Sequence, residues 1–145
     1  MKALTLWQPW AGFVAAGMKR IETRSWPTEY RGEIAIHAAV MSGYDGGLQK
    51  QMDELVSRGK KHLLAAYGAI IAVATLSDCV RTEEIAVDLS ELELKLGNYD
   101  RGRWAWILAC VRVLDNPVPC RGMQRIWNVP PEVEKRVYDE MPIPF

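Results

Sequence analysis

Gly17-Met18-Lys19-Arg20-Ile21-Glu22-Thr23-Arg24-Ser25-Trp26 is the stretch on which the reading of this chain turns. It ends a helix and begins a strand. Upstream, Pro9 suits the first turn of a helix, Trp10, Phe13 and Val14 fall at helical spacing, and Gly17 is a natural left-handed C-cap. Downstream, Ile21, Thr23 and Trp26 are good strand formers, and Pro27 stops the run. Lys19, Glu22 and Arg24 therefore crowd a helix-to-strand junction framed by Trp7, Trp10 and Trp26. Charges this dense are poor core material and suit a polar pocket with aromatic walls.

Outward from this junction, strands dominate. Leu4 to Trp7 opens the chain as a strand. Glu33 to Val40 is another, with Ile34, Ile36 and Ala38 on one face and His37 on the other. Gly43, Gly46 and Gly47 predict a loop, and residues 48–66 a helix in two pieces divided near Gly59. Gly68 to Val80 is continuously apolar and β-branched, as in a strand buried on both faces. Residues 85–96 fit a helix through Leu89, Leu92 and Leu96, or a strand by alternation near the end. Trp104 to Leu114 is the last predicted strand, broken by Pro117 and Pro119. Trp127 is expected to close the structure, and Pro130-Pro131 opens a terminal helix to about Glu140. Without βαβ alternation, this order predicts an α+β fold: a small closed or partly open β-barrel decorated by helices.

The 145 residues fit a single domain spanning 1–145. The opening Met1-Lys2-Ala3-Leu4 lacks a secretory pattern, and the apolar run from Ala69 to Leu76 is about ten residues short of a bilayer span. A cytoplasmic protein without membrane contact is expected. Cys79, Cys110 and Cys120 are widely spaced and form no C-x-x-C pair, while His37 and His62 have no carboxylate cluster around them. Nothing in the pattern asks for a disulfide framework, a metal or a cofactor. The formal net charge of zero argues against coating duplex DNA by bulk electrostatics. Arg101, Arg103, Arg112, Arg121 and Arg125 nevertheless meet only Asp115 between residues 101 and 125, so a local basic surface is compatible with the sequence.

The motif and its flanks resemble the ASCH domain family. Gly17, Lys19, Glu22 and Arg24 fill the family signature G-x-K-x-x-E-x-R. The run from Leu6 to Trp10, Tyr30-Arg31-Gly32, Ile36-His37-Ala38 and the stretch Pro117 to Pro130 with Gly122, Trp127 and Val129 are similar to the family too. The resemblance implies a PUA-like β-barrel whose cleft is partly lined by the motif, and a role in RNA metabolism through RNA or modified nucleosides. One bacterial branch of the family hydrolyses N4-acetylcytidine, and some relatives cleave RNA. In that amidohydrolase branch the third fixed position is a threonine nucleophile, activated by the lysine and assisted by a downstream glutamate. Here the position is Glu22, and Thr23 beside it is expected on the opposite face of the strand. The assisting acid is open among Asp78, Glu83 and Glu84.

The residues allow more than one chemistry. Lys19 suits an exposed charge at a helix end, a phosphate ligand, or a base of lowered pKa in a dry cleft. Glu22 and Arg24 share a strand face and can pair with each other. In a cleft, Glu22 can accept from an exocyclic amine as carboxylates do with cytosine, or activate a water. Arg24 would clamp phosphate or steer Glu22. Trp26 is expected to be the accessible aromatic wall and Trp10 a core residue. Arg101 and Arg103 are either loop charges or phosphate ligands at the rim, and His37 is expected to be structural. The first expectation is a binder of single-stranded RNA or a nucleoside-type small molecule through Lys19, Glu22, Arg24, Trp26 and Arg103. The second is a hydrolase of N4-acylated cytidine or of RNA, with Lys19 and Glu22 catalytic. The third is a protein-interaction module docking through leucines 89–96. Oligomeric state is left open.

Overall fold

A computed structural model describes residues 1–43 and 46–143. Six strands, β1 (Lys2–Gln8), β2 (Ile21–Arg24), β3 (Gly32–Ser42), β4 (Ala69–Arg81), β5 (Trp104–Pro119) and β6 (Ile126–Asn128), form one sheet. Its order is β2-β5-β4-β3-β1-β6. All pairings are antiparallel except β1 with β3. The helices are α1 (Trp10–Ala15), α2 (Gln49–Ser57), α3 (Lys61–Leu64), α4 (Thr82–Ile85), α5 (Glu91–Lys95) and α6 (Pro131–Glu140), with a 3-10 turn at Ala86–Asp88.

The sheet is buried on both faces. On one side Leu4, Leu6, Ile34, Ile36, Leu76 and Trp106 pack with Ala11 and Val14 of α1. On the other, Ala35, Ile70, Val73, Val118 and Trp127 lie under Val137 of α6. This double burial explains the apolar run over the first six residues of β4, all of them buried. A third cluster of Phe13, Met18, Leu48, Leu55 and Leu96 ties α1 to α2 and α5.

Strand pairing leaves the sheet open, which differs from a closed barrel. β2 and β6 are its edges, and no ladder joins them among the described residues. With four and three residues they are short. Three register shifts along the β4–β5 ladder, between Ile70 and Ala72, Val73 and Thr75, and Leu76 and Asp78, bend the long strands. The curl carries β2 back toward β1, where side chains bridge the gap: Arg24 Nη2 donates to the Thr5 carbonyl at 3.1 Å.

One element expectation is corrected, and one left open between helix and strand is decided. Pro117 and Pro119 do not break β5, which runs to Pro119 with only β4 beside that end, an edge setting that tolerates proline. Residues 82–95 are broken helix rather than strand, and the Ser90 hydroxyl caps α5 by accepting from the Glu93 amide at 3.1 Å. No helix is long and apolar enough to cross a membrane among the described residues.

Candidate functional site

The site begins at the end of α1. Gly17 has φ +78°, its amide bonds the Val14 carbonyl at 3.0 Å, and the Met18 amide bonds Phe13 at 2.9 Å. This pair of bonds is a Schellman ending, which turns the chain sharply and needs the left-handed glycine. The turn sends Lys19 inward instead of out to solvent. Lys19 is fully buried, and its Nζ donates to the Leu96 carbonyl at the end of α5 at 2.7 Å. Gly97 follows closely, and a Cβ there would crowd the Tyr99 ring at 3.0 Å.

Glu22 sits above the lysine on β2. One carboxylate oxygen lies 3.7 Å from Lys19 Nζ and accepts from the Thr23 amide at 3.2 Å, while the other accepts from Arg24 Nη2 at 3.1 Å. The carboxylate is held from below by Lys19 and from the side by Arg24, with its side chain 13% exposed. That exposure opens into a cleft of about 550 Å³ at the seam between β1 and β2. Trp7, Trp10, Glu22, Arg24, Asn98 and Arg103 are among its lining residues. Arg103 is fixed by donating to the carbonyls of Asn98 at 3.2 Å and Thr23 at 3.4 Å.

Burial sets the electrostatics below the cleft. It pushes the Lys19 ammonium down from its usual pKa, against the pull of Glu22 and Glu93. It pushes the Glu93 carboxyl up, against the Arg20 amide, which donates to it at 2.7 Å, and Lys19. Tyr99 is pushed up by burial and by Glu93 and Glu22, and its buried hydroxyl has no partner among the described residues. In each of these three groups burial is the largest cause and favours the neutral form.

The structure brings Glu22, Arg24 and Arg103 to one cleft, with Lys19 beneath rather than inside it. Trp26 lies beside this cleft rather than forming the wall expected from the sequence. It packs edge-on against Trp106, with ring centroids 4.6 Å apart, and lines a neighbouring pocket. The cleft's aromatic walls are Trp7, which is 56% exposed, and Trp10, expected in the core. Thr23 is buried and its hydroxyl accepts from the Asn98 amide at 3.0 Å. None of Asp78, Glu83 and Glu84 lines the cleft: Asp78 pairs with Arg31, and Glu83 accepts from the Gly102 amide. A second acid near Lys19, besides Glu22, is Glu93, hidden in the ambiguous segment, where Ser90-x-x-Glu93 was the available signal. Leu92 and Leu96 pack inward with Phe13 and Leu55, which removes them from the expected docking face. His37 is structural as expected: Trp127 Nε1 donates to the Thr5 hydroxyl, which meets His37 Nδ1, while Nε2 donates to the Cys120 carbonyl at 2.7 Å.

Among the described residues no three His, Cys, Asp or Glu side chains are grouped to hold a metal ion. The family model of the ASCH domain matches residues 4–118. Among solved structures, ASCH from Zymomonas mobilis is similar at a TM-score of 0.59 and 15% identity, covering 97% of this chain and 95% of that one. A tyrosine-to-phenylalanine variant of the Zymomonas mobilis protein matches at 0.59 and 15%, over 97% and 98% of the two chains. A serine-to-alanine variant matches at 0.57 and 15%, over 97% and 96%. At this identity the likeness is one of fold. No curated protein matches the sequence.

Proposed function

The chain belongs to the ASCH domain family, and from that premise we propose that its cleft binds single-stranded RNA or a nucleoside-type ligand. The observation that carries this reading is the Glu22 carboxylate, fixed by Lys19, Arg24 and the Thr23 amide beside an exposed Trp7. A carboxylate so held is an acceptor for an exocyclic amine, as in carboxylate–cytosine pairs. Trp7 supplies a face on which a base can stack, and Arg103 a charge at the rim. The PUA-like reading of the fold rests on the same family membership, with the curled sheet as a barrel left open where the ligand enters.

The test is a titration with cytidine, N4-acetylcytidine and a short single-stranded RNA. Glu22→Ala, folded by circular dichroism, is expected to lose at least about tenfold in affinity, since a good base contact is worth about 1–3 kcal/mol. Affinity unchanged in that variant would overturn the reading.

A second reading, a hydrolase of N4-acylated cytidine or of RNA, is favoured by the buried Lys19 3.7 Å from Glu22. Glu22 would activate a water as general base, with Lys19 tuning it from beneath. A threonine nucleophile finds no support in Thr23, which is buried and hydrogen-bonded. Product formed by the native chain and lost in a folded Glu22→Ala variant is the expected result of this reading. No turnover of either substrate would leave the cleft as a binding site.

A further inference from the structure

Next to the cleft, a second pocket of about 350 Å³ opens between β2 and the segment leading into β6. Thr5, Trp7 and Arg24 line both, so the two form one continuous surface with Trp7 and Arg24 at the divide. Both volumes lie within the range of small-ligand sites. Their chemistry differs. The cleft presents the Glu22 carboxylate, whereas no acidic side chain lines the second pocket.

The second pocket instead presents Arg125. This residue has φ +60°, an uncommon conformation for a side chain with a Cβ, and its guanidinium lies 4.6 Å over the Trp26 ring. It is exposed and forms no ion pair among the described residues. Arg24 makes its bonds to Thr5 and Glu22 through Nη2 alone. A neutral nucleoside seated over Glu22 has no use for an unpaired arginine beyond Trp7. A phosphodiester leaving that nucleoside does, because guanidinium groups bind phosphate oxygens through paired donors.

We propose that the site reads at least two consecutive nucleotides of a single RNA strand. One base is held in the cleft over Glu22, the connecting phosphate crosses between Arg24 and Arg125, and the next nucleotide occupies the Arg125 pocket. The proposal rests on the cleft being a nucleotide site, and it assigns to that site a strand rather than a free nucleoside. Trp7 separates the two seats. One side of its ring lies against Gly43, where an added Cβ would come within 2.3 Å, so the indole is held in place while over half of it stays open.

The experiment compares cytidine, a cytidine-containing dinucleotide and a tetranucleotide by titration at two salt concentrations. The native chain is expected to bind the tetranucleotide at least about tenfold more tightly than cytidine, with a salt slope of about 0.7 per phosphate contacted. Arg125→Asn, which removes the charge yet tolerates the left-handed backbone, is expected to abolish that gain and to leave cytidine affinity as it was. Gln124→Glu, which places an acid in the pocket, should do the same and guards against a folding defect in the first variant. Cytidine binding with no gain on lengthening, or a gain that survives both substitutions, would overturn the second seat while the cleft reading stands. Binding of neither cytidine nor oligonucleotide would overturn both.

Discussion

Lys19 and His37 are both buried polar residues, and they answer different questions. Lys19 donates to Leu96 and faces Glu22, but Glu22 also has Arg24 and partial exposure, so it is not stranded when the lysine is replaced. Lys19→Met keeps the volume but leaves the buried Leu96 carbonyl without its donor and the buried Glu93 without a neighbouring cation, and removing one partner of a buried pair is destabilising. We expect unfolding free energy to fall by about 3 kcal/mol in a urea melt, and ligand affinity of the folded variant to fall because Glu22 loses its lower anchor. His37 carries a pH dependence. Its hydrogen bonds suit the neutral ring, and burial holds its pKa below 6.5 despite the Cys120 carbonyl. In the unfolded chain the ring protonates near 6.5. Below that pH the unfolded state therefore binds the extra proton first, and folding stability is lost as pH falls. His37→Gln should flatten the stability profile below pH 6.5 relative to the native chain, and parallel profiles would contradict the assignment. The motif charges were legible in sequence because charge density is a one-dimensional property. The choice between Trp7 and Trp26 was not, because it depends on Trp106 covering one ring and the curl of the sheet exposing the other.

Among the elements, those written by long apolar runs or by glycine and proline were readable: the buried run of β4, the split between α2 and α3 at Gly59, and the start of α6 at the second of two prolines. β6 was not, since three residues are too few to show alternation, and only Trp127 hinted at it. The position of Glu93 was hidden for a similar reason, because short helices leave a leucine pattern that fits either period. The α1 ending was read correctly, and it can be tested. Gly17 has open space where a Cβ would go, so Gly17→Ala adds only the backbone cost of a left-handed alanine, about 1 kcal/mol. That loss, read by thermal melting, should come with unchanged ligand affinity. Gly122 is the opposite case: an added Cβ would meet the His37 ring at 2.5 Å and the Thr5 hydroxyl at 2.8 Å. Gly122→Ala must displace the Trp127–Thr5–His37 chain, and a cost of about 1–3 kcal/mol is expected in the same melt.

For the molecule as a whole, the site lies where the sheet fails to close. A ladder between β1 and β2 would have filled the cleft with backbone hydrogen bonds and left Glu22 without an opening. The chain substitutes Arg24, whose Nη2 donates at once to the Thr5 carbonyl of β1 and to Glu22 on its own strand. One side chain thus fixes both the width of the seam and the orientation of the carboxylate. Removing it should separate local from global stability. Arg24 is the polar link across the seam named above, whereas the core clusters on both faces of the sheet do not include it. Arg24→Met, which keeps the aliphatic stem, is therefore expected to cost about 1.5–3 kcal/mol in global unfolding, the scale of one hydrogen bond to a charged group. Amide hydrogen exchange should rise chiefly at β2 and the start of α1, with β3, β4 and most of β5 protected as before. Exchange that rises uniformly would mean that Arg24 supports the whole sheet, and exchange unchanged along β2 would mean that packing of Ile21 and Thr23 alone holds the seam.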